Sequence, residues 1–267
     1  MLSMRGPVDL EIWLYIHDSK PLLNLYILCS ASFHKTNKLR MCSLEKRGNL
    51  FLLTLTGDGV DEHRLNSTLI SSIRSALSDA SLHSTHGSVL LTIAQGKFFC
   101  NGFDFNTTDT IFQLNQVYKC LVADFISLPM PTIAVVTGHA IGSGLALALC
   151  HDYVYMRRDH GLLSMNEIHK GIMLPDYGVE LIRSKVVRRE SLRDVLLRGV
   201  KVKADEAVTM GLVDIAYEDR ESAVEGGLRM GEELAKMKWN GELYAQMRKA
   251  LYPELCRVLG LSFKPKL

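Results

Sequence analysis

The sequence has few of the features that mark membrane, metal-binding or nucleic-acid-binding proteins. No stretch approaches the roughly 18 uncharged apolar residues of a membrane-spanning helix. The 31 lysines and arginines nearly balance the 29 acidic residues, and a net charge of +2 argues against a general nucleic-acid-binding protein. No two cysteines form a C-x-x-C pair, which argues against a zinc cluster or a disulfide scaffold and is typical of a reducing compartment. The six cysteines are Cys29, Cys42, Cys100, Cys120, Cys150 and Cys256. These absences predict a soluble intracellular protein with one core.

The two ends of the chain are expected to lie outside the folded domain. In residues 1–40 acidic side chains precede the apolar stretch 21–29, which argues against a secretory signal, and Met41 offers an alternative start. The last three residues, Pro265, Lys266 and Leu267, resemble the C-terminal Ser-Lys-Leu signal that a peroxisomal import receptor reads. We therefore predict an N-terminal extension over 1–40, a β/α core over 41–200, a C-terminal helical region over 201–258 and a tail over 259–267.

Between the ends, apolar runs of strand length alternate with patterns of helical period. Strands are predicted at 49–56, 89–94, 132–137, 153–156 and 162–165, and helices at 65–80 and 111–125. After Pro175 the sequence is mostly helical. Uninterrupted apolar strands separated by helices are typical of an α/β fold with largely parallel pairing.

Two glycine-containing turns each follow a buried strand. The first covers residues 96–104 (GKFFCNGFD) and the second covers residues 138–146 (GHAIGSGLA). Ligands of α/β folds bind beyond the carboxyl ends of strands, where glycine lets backbone N–H groups come close to them. Two such turns supply two backbone donors, the minimum for holding a developing oxyanion.

Several common catalytic motifs are absent from the second turn. Leu147 stands where a dinucleotide fingerprint has its third glycine. Ser143 is flanked by Ile141 and Leu145 and not by the glycines of a nucleophile elbow. The sequence contains neither a P-loop nor an H-E-x-x-H motif, and the spacing of its nine histidines predicts no metal site.

The order and spacing of three motifs resemble those of the crotonase, or enoyl-CoA hydratase/isomerase, superfamily. They are FFCNGFD at 98–104, GHAIGSG at 138–144 and GVKVKADEAVTMGLVD at 199–214, and the resemblance covers about residues 42–255. Within the superfamily, MCSLEKRG at 41–48, LPMP at 128–131 and KWNG at 238–241 are similar to the plant peroxisomal Δ3,Δ2-enoyl-CoA isomerases.

The resemblance implies a crotonase (ClpP-like) fold, a spiral of β-β-α units with a helical C-terminal region used for assembly into a homotrimer or hexamer. It also implies an oxyanion hole made of two backbone N–H groups. One donor maps to Phe103, the residue before the aspartate of the first turn. The second maps to Ser143, the residue between Gly142 and Gly144 in the second turn.

The carboxylates that the resemblance implies favour isomerisation over hydration. Hydratases of this superfamily use two carboxylates to hold water, and the first of these positions is Ala146 here. The second maps to Glu167, so that a single base remains. Asp176, on the following turn, is an alternative position for the base.

The substrate implied by the resemblance is an acyl-CoA. CoA is part of that substrate, and no separate cofactor is expected. The CoA phosphates call for basic side chains, and the late helical segment offers Lys236, Lys238, Arg248 and Lys249, although a solvated helix face explains each of them singly.

Three functions remain open at the level of the sequence. The leading one is a Δ3,Δ2-enoyl-CoA isomerase that converts a 3-enoyl-CoA to the trans-2-enoyl-CoA in peroxisomal β-oxidation of unsaturated fatty acids. The second is another single-carboxylate crotonase reaction on an acyl-CoA, such as the shortening of a hormone precursor or a branched chain. The third is a non-catalytic member of the family that serves binding or assembly.

Overall fold

The computed structural model describes residues 41–56 and 61–262. The predictions for residues 1–40 and for the last three residues lie outside these ranges. Nine strands and nine α-helices occur in the described residues. In chain order they are β1 (Cys42–Arg47), β2 (Leu50–Leu55), α1 (Ser67–Leu82), β3 (Val89–Ala94), β4 (Phe98–Cys100), α2 (Ile111–Ser127), β5 (Thr132–Val136), β6 (His139–Ile141), α3 (Ser143–Leu149), β7 (Tyr153–Arg157), β8 (Leu163–Ser164), a 3-10 helix (Glu167–Lys170), α4 (Asp176–Lys185), α5 (Arg189–Arg198), α6 (Ala204–Met210), β9 (Ile215–Tyr217), α7 (Arg220–Lys236), α8 (Gly241–Leu251) and α9 (Pro253–Leu259).

The strands form two sheets, and successive β-β-α units contribute one strand to each of them. The first sheet has the order β1-β2-β3-β5-β7-β9 and the second has the order β4-β6-β8. Each of the three units beginning at β3, β5 and β7 places its first strand in the large sheet and its second strand in the small one. All pairings between these strands are parallel except β1–β2. The predicted α/β fold of β-β-α units is confirmed.

The large sheet is covered on both faces, which explains its uninterrupted apolar strands. Alternate side chains of β2, β3 and β5 belong to one core with α1, α2 and α3, and the others pack against α7. Three glycines of α7 allow this helix to lie close to the sheet. A Cβ atom would meet the Tyr217 ring at Gly226, would come within 2.6 Å of Val135 at Gly227 and within 2.8 Å of Leu50 at Gly231.

The strands that sequence patterns did not predict are short or exposed. β1 lies at the edge of the large sheet with most of its side chains exposed, so its sequence has no apolar run. β4, β6 and β9 have three residues each, too few to show a period of two. β9 adds the last strand of the large sheet from within the predicted helical region.

Arg248 is buried and does not present a cation to solvent. Its guanidinium donates to both carboxylate oxygens of Asp152, at 2.8 and 2.5 Å, and to backbone carbonyls that include Leu128 O at 2.7 Å and Met130 O at 2.5 Å. Although burial opposes ionisation, Arg248 holds the pKa of Asp152 below its usual value. The suggestion that Arg248 binds CoA phosphates, or lies on a solvated helix face, is therefore wrong. It ties α8 to the chain segment that leads into β5.

Replacing Arg248 with Met should lower the free energy of unfolding by about 3–5 kcal/mol at pH 7, because it removes the guanidinium that compensates the charge of the buried Asp152 carboxylate. Urea denaturation followed by circular dichroism measures the loss. Arg257→Met is the matched control, because Arg257 pairs with Glu254 on the exposed side of α9. Its unfolding midpoint should stay at the wild-type value. Equal midpoints for both variants would contradict the role given to Arg248.

Candidate active site

A cleft opens at the carboxyl ends of the small sheet. Its wall includes residues 101–103, 141–143 and 165–167, which lie at the carboxyl ends of β4, β6 and β8. The strands are parallel, so their ends meet at one edge, where α/β folds bind their ligands. One face of α2 and the segment 170–178 complete the wall, and most of the lining side chains are apolar.

The turn after β4 directs the N–H group of Phe103 away from the neighbouring chain segment. Leu65 donates to Gly102 O at 2.7 Å and accepts from the Asp104 N–H at 3.0 Å. In a trans peptide unit the C=O group and the following N–H group point in opposite directions. Because the Gly102 carbonyl faces Leu65, the N–H of Phe103 is turned away from Leu65. No backbone carbonyl in the described part of the chain accepts from it. Phe103 lines the cleft, as the prediction requires.

The turn after β6 leads into α3, whose first residue is Ser143, and no backbone carbonyl among the described residues accepts from the Ser143 N–H. Gly142 has φ +58° and Gly102 has φ +75°, a region of backbone conformation that favours glycine. A Cβ atom on Gly102 would lie 2.9 Å from Ile141 O and 3.6 Å from the nitrogen of Ser143. The two turns therefore touch, and the structure brings the predicted donors Phe103 and Ser143 to the same cleft.

The carboxylate of Glu167 lies beside the second turn. This residue begins the 3-10 helix, and its Oε1 would be 2.5 Å from a Cβ atom on Gly142. Its Oε2 is buried and has no hydrogen-bond partner among the described residues. Burial raises the pKa of Glu167, while its own backbone N–H and the charge of Lys170 act in the opposite direction. A partly desolvated carboxylate with a free oxygen suits a group that must accept and return a proton.

The two other positions considered for a carboxylate do not contribute one to the cleft. Ala146 lines the wall with a methyl group. Asp176 is exposed at the start of α4, where its Oδ1 accepts from the Tyr177 N–H at 2.7 Å. Among the described residues, Glu167 is the one carboxylate that lines the cleft.

The three lysines predicted to bind CoA lie outside this cleft. Lys236 and Lys238 are near the turn before β3, where Lys238 Cα would be 3.4 Å from a Cβ atom on Gly87. They are thus at the amino end of the large sheet, while the cleft lies beyond the carboxyl ends of the small one. Lys249 is on α8 and does not line the cleft. The structure does not bring these lysines to Glu167, and their role toward CoA remains a prediction.

Comparison with known proteins places the chain in a family. A profile of the enoyl-CoA hydratase/isomerase family matches residues 61–259. The chain is 49% identical over 233 residues to the peroxisomal enoyl-CoA delta isomerase 2 of Arabidopsis thaliana, covering 83% of this chain and 96% of the relative. The chain belongs to the enoyl-CoA hydratase/isomerase family. It is also 47% identical over 220 residues to the peroxisomal enoyl-CoA delta isomerase 1 of the same plant, covering 80% of this chain and 91% of that protein.

Solved structures confirm the fold of the family. The apo structure of an enoyl-CoA isomerase from Mycobacterium tuberculosis matches 82% of this chain and 94% of its own with a TM-score of 0.72 at 18% identity. An enoyl-CoA hydratase from Mycobacterium marinum, with the same coverage of both chains, gives a TM-score of 0.74 at 17% identity. The crotonase fold implied by the sequence motifs is therefore confirmed.

Sequence patterns missed two polar residues of the cleft. Lys170, three positions after Glu167, lies with its Nζ 5.8 Å from the centroid of the Phe105 ring. Residues three positions apart on a helical turn lie side by side, so its spacing from Glu167 is the sequence signal that points to Lys170. Tyr118 lies on the buried face of α2 with Leu114, Leu121 and other apolar residues. A hydroxyl group at a core position of an amphipathic helix was its signal, since such a group needs a partner.

Replacing Lys170 with Met should raise the pKa of Glu167 further. The substitution removes a positive charge that favours the carboxylate, so protonation becomes easier and the titration moves to higher pH. NMR titration of the side-chain carboxyl carbons of 13C-labelled glutamate measures this, with Glu167→Gln used to assign the signal. Lys236→Met removes an equal charge at the far edge of the sheet and should leave the titration in place. An unchanged or lower pKa in the Lys170 variant would refute the interaction.

Proposed function

We propose that this protein is a Δ3,Δ2-enoyl-CoA isomerase, with Glu167 as its base and the N–H groups of Phe103 and Ser143 as its oxyanion hole. The observation that carries the proposal is the single carboxylate of the cleft, which lies against the turn that presents Ser143 N–H. Relatives named enoyl-CoA delta isomerase, 47–49% identical to this chain, support it.

The reaction moves one proton between two carbons. The C2 hydrogens of a 3-enoyl-CoA are acidic because the thioester and the alkene both stabilise the resulting anion. Glu167 removes one of them, and the electron pair of the broken C–H bond forms a C1=C2 double bond while the carbonyl pair moves to the thioester oxygen. The product is a dienolate in which the C3=C4 double bond is still present and the negative charge lies on the thioester oxygen. The two N–H groups stabilise this oxygen, each by about 3–4 kcal/mol. The protonated Glu167 then delivers the proton to C4, where the C3=C4 electron pair binds it. As the carbonyl group re-forms, the C1=C2 pair moves between C2 and C3, which gives the trans-2-enoyl-CoA and the original carboxylate.

The environment of Glu167 supports both halves of this transfer. Because burial raises its pKa, the carboxylate is a stronger base than a solvated glutamate and its acid form persists long enough to return the proton. The free Oε2 faces no competing donor among the described residues. Ala146 supports isomerisation over hydration, because a methyl group cannot hold or activate a water molecule.

The apolar surroundings support an acyl chain as the ligand. A second, open groove shares Glu167, Ile172 and Leu174 with the cleft and is lined mainly by aliphatic side chains. Aliphatic walls bind an acyl chain by removing it from water. CoA enters as part of this substrate, and the step described needs no oxidant, reductant or further cofactor.

Assembly into a homotrimer or hexamer is part of the proposal. The side chains of Leu243, Met247 and Leu251 follow one another at four-residue intervals on α8 and are each more than 60% exposed. Such a stripe on one face of a helix is typical of a surface that another chain covers.

The decisive test compares the wild-type enzyme with Glu167→Gln, using cis-3-hexenoyl-CoA and the absorbance of the conjugated 2-enoyl thioester. We expect kcat to fall at least about a thousandfold, because the amide cannot accept the proton. Binding of hexanoyl-CoA, measured by calorimetry, should persist. The matched control is Asp176→Asn, which removes the neighbouring carboxylate outside the cleft and should retain turnover.

Other outcomes of this test point to other functions. Turnover that survives in Glu167→Gln and is lost in Asp176→Asn would transfer the base to Asp176. Absence of turnover in the wild type, with hexanoyl-CoA bound, would favour another acyl-CoA reaction or a binding role.

Localisation in the peroxisome is the last part of the proposal, supported by the final residues Pro265, Lys266 and Leu267 and by the names of two relatives. A fluorescent protein fused in front of the full chain should enter peroxisomes, and deletion of these three residues should leave it in the cytosol. Import of the shortened fusion would contradict the role of the tail.

A further inference from the structure

Tyr118 contacts both turns of the proposed oxyanion hole. Its hydroxyl group donates to Ser143 O at 2.7 Å. Its ring packs edge to face with the ring of Phe103, with a centroid distance of 5.4 Å and an interplanar angle of 88°. The residue lies on α2, 2% exposed, and lines the cleft. One side chain from a third element thus touches the two residues whose N–H groups are the proposed donors.

These contacts bear on the geometry of the hole in different ways. The Ser143 carbonyl belongs to the residue whose N–H is a donor, so a hydrogen bond to it limits the rotation of that residue at the start of α3. The Phe103 ring, held edge-on, limits the position of the backbone at the other turn. We propose that Tyr118 is a positioning residue that fixes the separation and direction of the two oxyanion-hole N–H groups. This inference rests on the proposed isomerase function.

The surroundings of Tyr118 hold it in one place and in one protonation state. Burial raises the pKa of Tyr118 well above its usual value, so the hydroxyl stays protonated and remains a donor. The centroids of the Tyr118 and Tyr177 rings are 6.4 Å apart, and the Tyr177 hydroxyl donates to the Asn115 carbonyl at 3.1 Å. A rigid support of this kind matters most when charge develops on the substrate oxygen, because donors must already point at it.

Tyr118→Phe removes the hydroxyl and keeps the ring, so it tests the hydrogen bond alone. With cis-3-hexenoyl-CoA we expect kcat to fall about tenfold, the effect of one hydrogen bond on a rate. KM and the affinity for hexanoyl-CoA should stay within about twofold, because the ground-state oxygen carries little charge. Tyr244→Phe is the matched control. It removes a partly buried hydroxyl that donates to Asp152 at 3.3 Å, away from the cleft, and should keep the wild-type kcat.

Binding of acetoacetyl-CoA gives a readout that does not depend on turnover. Its enolate places negative charge at the thioester oxygen and absorbs in the near ultraviolet. Tyr118→Phe should bind this enolate about tenfold more weakly than the wild type, with hexanoyl-CoA affinity unchanged. Phe103→Leu, which removes the ring contact from the other side and keeps the backbone N–H, is a second variant that should weaken enolate binding in the same way.

The outcomes separate this inference from the proposed function. If the wild type isomerises the substrate and Tyr118→Phe keeps its kcat and its enolate affinity, the positioning role is wrong and the isomerase function stands. A parallel loss of hexanoyl-CoA and enolate affinity would also overturn it, because it would show general damage to the cleft. If the wild type does not isomerise the substrate, the proposed function fails, and the enolate comparison still decides the role of Tyr118.

Discussion

The candidate site depends on the close approach of two backbone turns at one end of the small parallel sheet. Gly102 and Gly142 have positive φ angles, and the space where their side chains would begin is filled by Ile141 O and by the carboxylate of Glu167. A side chain at either position would separate the turns or displace the Glu167 carboxylate. The proposed oxyanion donors and the proposed base are therefore placed by the absence of two Cβ atoms, and α2 and the segment 170–178 complete the wall.

The same compactness sets the electrostatic character of the site. The turn that presents the Ser143 N–H removes one face of Glu167 from water, and its Oε2 has no protein partner in the described part of the chain. Desolvation of a carboxylate costs free energy in the folded state and raises its pKa. The desolvation that lowers local stability at Glu167 is thus the same effect that raises its pKa, and the proposed reaction requires this raised pKa. Lys170, at the exposed mouth of the cleft, offsets part of this cost.

The sequence predicts those features that depend on local pattern or on short motifs. The buried strands β2, β3 and β5 have continuous apolar sequences because both faces of their sheet are covered, and they were predicted to within two residues. The residues that meet at the cleft, Phe103, Ser143 and Glu167, were located through their motifs. Tyr118 and Lys170 were not, because their roles arise only when α2 and the 3-10 helix pack beside the turns. The prediction for Arg248 is wrong for a similar reason, since its partner Asp152 lies 96 positions earlier in the chain.

The glycines of α7 have a thermodynamic consequence for the C-terminal region. Gly226, Gly227 and Gly231 allow this 17-residue helix to touch the sheet, but each lowers intrinsic helix stability by about 1 kcal/mol relative to alanine. Together they remove about 3 kcal/mol, so an isolated α7 would be a weak helix. Its order is supplied by contact with β2, β3 and β5, and the side chains on that face of the sheet are in turn shielded by the helix. The sheet and α7 are thereby coupled into one cooperative unit, because unfolding of either would expose the apolar side chains of the other to water.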